Sequence, residues 1–177
     1  MRSVLELMAG VPSVVYGLWA LLVVVPLINR IAPPGASWLA SSLVLTAMIA
    51  PLALLMADAA FTRFPVEQSS AAEALGISRW GLWRRLMLPH AARAVASGVV
   101  LQFGRALGET MAVVMVAGNV VQWPHSLLAP VRTLTGNIAL EMSYATGEHL
   151  SALFASGLLL MVLTGTLLFL AGRLRGS

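Results

Sequence analysis

Long apolar runs constrain this chain more than any other feature. Four of them, at residues 11–28, 38–61, 94–121 and 150–171, carry few or no charged side chains. Crossing the hydrocarbon core of a bilayer takes about 20 helical residues, and each run is close to that length or longer. Within lipid every backbone N–H and C=O must find its partner inside the protein, so such runs fold as helices. Composition points the same way: 59% of residues are hydrophobic and 10% are charged, against about 25% charged in a typical soluble domain. The expectation is an all-α polytopic membrane protein with four spanning helices in a single domain over residues 1–177.

Arginine supplies all the positive charge, for the chain contains no lysine. Arg63, Arg79, Arg84, Arg85 and Arg93 crowd the segment between the second and third runs, Arg2 precedes the first, and Arg173 and Arg175 follow the fourth. Arg30 and Arg132 stand alone in the other two loops. Cytoplasmic loops collect arginine, so both termini and the 62–93 loop are expected in the cytoplasm. Four spans also put both termini on one side. No cleavable leader is expected, since residues 1–9 include Glu6 and no small-residue cleavage site follows.

Several functional classes fall away. The arginines form no dense basic tract interleaved with aromatics, which argues against nucleic acid. Without cysteine there is no disulfide, thiol nucleophile or thiolate metal site. His90, His125 and His149 are too dispersed for a metal centre. The phosphate-cradling GxxxxGK[ST] loop is missing, as are the GxSxG nucleophile turn and the HExxH zinc helix. The chain reads as a non-enzyme without a cofactor of its own.

Arg105 and Glu109 are the informative polar residues, because they fall inside the third run. On translocon scales a charge at mid-membrane costs roughly 2.5–3.5 kcal/mol. Their i,i+4 spacing would place them on one helical face, where they could pair. Gly104 and Gly108 beside them would allow close helix contact. Either the pair is structural or it lines a polar path, with Arg105 contacting an anion, Glu109 as its ionic partner and Thr110 adding a hydroxyl. Arginine suits tetrahedral oxyanions because its planar fork donates paired hydrogen bonds. Asp58 reads as an interfacial acid, and Glu141 and Glu148 as solvated loop acids. Met56, Met111, Met115 and Met161 read as packing residues.

The 62–93 loop is organised. Residues 66–75 read as a helix stopped by Gly76 in the left-handed conformation. Ser78 would cap a second helix over 79–88, with Pro89 dividing it from the third span. Alternatively, the two short helices lie on anionic lipid, anchored by Trp80 and Trp83. Residues 134–142 form an apolar stretch too short to span, which suggests a re-entrant or surface helix.

Within that loop, Ser70-Ala71-Ala72-Glu73-Ala74-Leu75-Gly76, then nine residues, then Leu86-Met87-Leu88-Pro89, resembles the EAA loop of ABC importer permeases. Ser70 stands where that pattern has glutamate, and Glu67 or Glu73 lies one turn away. Val11-Pro12-Ser13-Val14-Val15-Tyr16-Gly17 resembles a segment of phosphate permeases, and Arg105-Ala106-Leu107-Gly108-Glu109-Thr110-Met111-Ala112-Val113 resembles a run of the PstC type. Val116-Ala117-Gly118-Asn119 and the segment from Thr133 to Glu141 continue the likeness. The resemblance implies a MetI-like permease fold, of which this chain matches the last four of six helices, the first two being absent. It further implies ATPase coupling through Ser70, Ala71, Ala72, Glu73, Gly76, Leu88 and Pro89. The implied function is phosphate import through the bacterial cytoplasmic membrane, with molybdate or sulfate as other oxyanions and a non-transporting scaffold as the other class. The implied partners are a PstA-like permease, an ATPase dimer that binds the ATP, and a periplasmic or lipid-anchored phosphate-binding protein.

Overall fold

The computed structural model describes residues 2–176, with side chains described as far as Arg173; Arg175, counted above, has its side chain outside that set. Helices α1 (Arg2–Gly10), α2 (Ser13–Leu22) and α3 (Val24–Asn29) occupy the place of the first expected span. They are not one straight helix. The chain bends by 91° between Gly10 and Ser13, where Pro12 takes an extended conformation (φ −58°, ψ 141°), and it breaks again at Val23, three residues before Pro26. A proline lacks the N–H that an unbroken helix requires, which accounts for interruptions near Pro12 and Pro26.

The bent unit still runs the length of its neighbour. Helix α4 (Trp38–Thr62) is a 25-residue span tolerating Pro51. Arg2 lies 3.9 Å from Asp58, near the C-terminal end of α4. The segment after α3 reaches the opposite end, where Ser37 caps α4 by accepting from Ala40 N–H (3.2 Å). Helices α1 to α3 thus lie beside α4, and count as one span if the bent unit is taken as a single pass.

Beyond α4 comes the expected hairpin, made of α5 (Val66–Ala74) and α6 (Arg79–Leu82). The division expected at Pro89 does not occur. A π-helical turn (Trp83–Met87) joins α6 directly to α7 (Leu88–Leu107). Leu88 N–H bonds back to Trp83 C=O, one residue further than in an α-helix. Pro89, lacking an N–H, follows that wide turn without ending the helix. Residues 79–107 form one apolar rod of 29 residues.

The third expected span, at 94–121, is also corrected. Helix α7 ends at Leu107, and a separate short helix, α8 (Met111–Val116), resumes after Gly108, Glu109 and Thr110. An outer loop leads to α9 (Leu134–Glu141), the short helix expected at 134–142, and then to α10 (Gly147–Gly176). Helix α7 lies between α4 and α10. Ser97 donates to Ala171 C=O (3.0 Å) across the α7–α10 contact. No strand occurs among the described residues.

Two apolar clusters hold this arrangement. The larger joins α2, α3, α4 and α8 through Ala20, Ile28, Ala40, Val44, Ala112 and Val116. Three of those six are alanines, small enough to let helices approach closely. Helix α2 meets α8 at Gly17, where a Cβ would stand 2.7 Å from Ala112 Cα. The smaller cluster, Phe64, Ala72 and Leu82 with Ile77 and Met87, lies inside the hairpin. Most of α10 faces outward, with Phe154, Leu158, Met161, Val162 and Phe169 exposed, as a lipid-facing helix should be. Met56 and Met115 pack inside, whereas Met111 and Met161 are exposed.

Candidate functional site

The break between α7 and α8 changes the geometry expected of the buried charges. Because α7 stops at Leu107, Arg105 and Glu109 do not share a helical face, and no ion pair joins them. Glu109 turns the other way. Its Oε1 accepts from Ala112 N–H (3.1 Å), capping α8, and its backbone carbonyl accepts from Thr135 Oγ1 (2.8 Å). Thr110 hydroxyl leans back to Gly108 C=O (3.4 Å). Arg105 is exposed, and its side chain forms no hydrogen bond or ion pair among the described residues. Gly108 is the turn residue of the break and makes no close interhelix contact, whereas Gly98 does, its Cβ position lying 3.3 Å from Met56.

This break lies level with the interior of α4, since Ala112 just after it shares a cluster with Val44. Gln102, one turn before it, packs against Met56 in the second half of α4, its amide nitrogen 3.6 Å from the thioether sulfur. The Gln102 carbonyl oxygen is buried with no partner. Irregular backbone at membrane depth is tolerated where protein or a polar cavity covers it, and broken helices of this kind bring backbone groups and charged side chains to one place. A charge at such depth without a counterion is costly, which singles out Arg105.

Sequence reasoning missed a second polar cluster, at the far end of α4 in the loop between α8 and α9. Arg132 donates from Nε to Asn119 C=O (2.9 Å) and from Nη1 to Asn137 Oδ1 (3.0 Å). Arg132 Nη1 also pairs with Glu141. Glu141 Oε2 in turn meets His149 Nε2 at 2.9 Å. Glu141 is thus no solvated acid: only 16% of its side chain is exposed. Glu148, by contrast, is exposed in the first turn of α10. The i,i+4 placement of Asn137 and Glu141 on one face of an apolar helix was the available signal. Beside the cluster opens a cleft of about 700 Å³, whose walls include Trp38, Ser42, Leu45, Trp123, Arg132 and Asn137.

The hairpin is as expected in its turn chemistry. Gly76 has φ +72°. Its N–H bonds to Glu73 C=O (2.9 Å) and Ile77 N–H to Ala72 C=O (3.0 Å), the paired bonds of a Schellman stop. Ser78 Oγ accepts from Gly81 N–H (3.2 Å), capping α6. Ala72 and Leu82 face inward, while Ser70, Ala71, Glu73 and Leu75 face outward. Ser70 hydroxyl bonds within its own helix, to Val66 C=O (3.0 Å). Leu75 is 79% exposed. The Trp80 and Trp83 rings stack at 5.2 Å, and Leu88 and Pro89 begin α7 after the π turn.

These features define a multi-pass helical membrane protein with a broken helix packed against α4 and a two-helix hairpin at one end. The chain belongs to the family described as the binding-protein-dependent transport system inner membrane component, whose model matches residues 1–174. Its relatives include the phosphate transport system permease protein PstC of Mesorhizobium japonicum, 34% identical over 94% of this chain and 58% of that protein. The PstC of Haemophilus influenzae is 35% identical over 94% of this chain and 60% of that protein. A probable ABC transporter permease protein of Bacillus subtilis, YqgH, is 36% identical over 93% of this chain and 54% of that protein. The chain thus spans somewhat over half the length of the curated relatives it matches. No solved structure matches it.

Proposed function

We propose that this chain is a transmembrane permease subunit of an ATP-driven importer of inorganic phosphate in the bacterial cytoplasmic membrane. The observation that carries the substrate is Arg105, a cation without a counterion at a helix break level with the interior of α4, in a chain similar to permeases named for phosphate transport. Its fork of donors fits a tetrahedral oxyanion. Glu109 shapes the break by holding the N-terminus of α8, and Thr110 offers a hydroxyl beside it. The hairpin is the coupling element. Its outward residues Ser70, Ala71, Glu73 and Leu75, stopped at Gly76, form the face offered to an ATPase subunit, which binds the ATP. Leu88 and Pro89 carry movement of that face into α7, because α6, the π turn and α7 are one continuous rod. The hairpin and both termini lie in the cytoplasm, where arginine is concentrated. A second permease of the PstA type, an ATPase dimer and a phosphate-binding protein complete the assembly.

The test is phosphate uptake by the assembled transporter carrying Arg105→Met. Uptake falls to background while the subunit still inserts and assembles. Glu109→Ala removes only the cap of α8, costing about 1 kcal/mol of stability, and retains measurable uptake. Normal uptake by an assembled Arg105→Met transporter would remove Arg105 from the path.

A further inference from the structure

The geometry points to a second oxyanion site, away from Arg105: the cleft between α4 and the α8–α9 loop, with Arg132 and Asn137 as donors to a phosphate group. Arg132 is held on one side only. Its Nε is committed to Asn119 C=O and its Nη1 to Asn137 and Glu141, while Nη2, with two N–H groups, has no partner among the described residues. The guanidinium can only donate, so Asn137 must turn its oxygen towards it, and the amide NH₂ of Asn137 points away from that bond. That NH₂ also has no partner among the described residues. Both residues line the cleft of about 700 Å³, and the 3.0 Å bond between them fixes their relative position. Two adjacent donor groups, already oriented, fit the spacing of oxygens on a tetrahedral anion.

Glu141 does not close the site. It lies on the Nη1 side of the guanidinium, and its other oxygen is taken by His149 at 2.9 Å. Attraction for an anion comes from directed hydrogen bonds more than from net charge. Trp38, Leu45 and Trp123 give the cleft an apolar side, next to the polar Ser42 and Thr133, and that side would accommodate the acyl end of a phospholipid. Inorganic phosphate and a phospholipid headgroup present the same chemistry here. The inference rests on the donors themselves and is independent of the transport reading, because its test measures binding and not uptake.

The purified full chain is placed in nanodiscs of phosphatidylcholine and titrated calorimetrically with inorganic phosphate, with sulfate as competitor. In a second arm, nanodiscs containing phosphatidylglycerol are used, and the retained anionic lipid is counted by native mass spectrometry. Asn137→Asp keeps the shape and the oxygen facing Arg132 but replaces the NH₂ donor with an acceptor; Asn137→Ala removes the donor without adding charge. If the free ion is the ligand, Asn137→Asp weakens phosphate binding about tenfold or more, as expected for loss of one hydrogen bond to a charged group, and Asn137→Ala weakens it severalfold. If the headgroup is the ligand, the same variants lose phosphatidylglycerol and leave phosphate titrations flat. Helical content and thermal midpoint are checked for both, and Asn137→Ala decides should Asn137→Asp not fold. Variants that match the unsubstituted chain in both arms, or a chain that binds neither ligand, would overturn the proposal.

Discussion

Glycine does different work at different positions in this chain, and the contrast can be measured. At Gly17 there is no space: an added Cβ would lie 2.7 Å from Ala112 Cα and 2.9 Å from Met115 Sδ. At Gly118 two penalties combine, since φ is +81° and a Cβ would meet Pro130 Cβ at 2.6 Å. At Gly76 the backbone is equally left-handed, yet nothing lies within 4 Å. Alanine at Gly76 therefore costs only the left-handed strain, about 1–2 kcal/mol, confined to the hairpin. Alanine at Gly118 adds backbone displacement to that strain, and leucine at Gly17 overpacks the α2–α8 contact by about 1–3 kcal/mol. Thermal unfolding in detergent should rank Gly118→Ala and Gly17→Leu well below Gly76→Ala. Equal midpoints for Gly76→Ala and Gly118→Ala would contradict the packing described at Pro130.

The hairpin and the rod it continues into form one continuous element, because the π turn keeps α6 and α7 continuous past Pro89. The hairpin's own core is small, built on Phe64, Ala72 and Leu82. Its shape therefore depends heavily on the Schellman stop at Gly76 and the Ser78 cap. A β-branched residue at Gly76 disfavours positive φ more strongly than alanine does, and so misdirects α5 without touching the membrane layer. Gly76→Val is expected to insert and assemble at normal levels while losing ATP-driven uptake. Normal uptake by that variant would argue against a coupling role for the hairpin. The broken helix α7–α8 is a different kind of element. Its interruption is held from another segment by Thr135, which donates to Glu109 C=O, while Asn119, just after α8, donates to Val114 C=O (2.7 Å) near that helix's C-terminal end.

For the chain as a whole, the arrangement of α1 to α10 makes a definite statement about sidedness. Three long apolar helices, with the unit bent by 91° as a fourth pass, put Arg2 and the hairpin at one end and the α8–α9 loop at the other, and thiol labelling tests that count. The chain has no cysteine, so single introduced thiols report without background. Glu73→Cys, on the exposed face of α5, should react with an impermeant maleimide only from the cytoplasmic side of oriented vesicles. His125→Cys, exposed in the α8–α9 loop, should react only from the opposite side. Labelling of both from the same side would remove the four-pass arrangement.

Hydropathy and arginine placement were enough to indicate a helical membrane protein, to locate α4 to within a residue and α10 to within a few residues, and to find the hairpin with its Gly76 stop and Ser78 cap. These are local matters: an apolar run long enough to cross lipid must be helical, and a glycine at positive φ needs no distant partner. The interruptions were another matter. Whether Pro89 ends a helix depends on a π turn that supplies a wider backbone path, and whether residues 94–121 form one helix depends on Glu109 capping α8 and on Thr135 reaching across from α9. The expected Arg105–Glu109 pair followed from assuming an unbroken helix, and it disappeared with the break. The cluster of Arg132, Asn137, Glu141 and His149 joins a loop to two helices separated in sequence. Its partners become visible only when tertiary packing brings them together, because a hydrogen bond between segments has no signature in the spacing of either one.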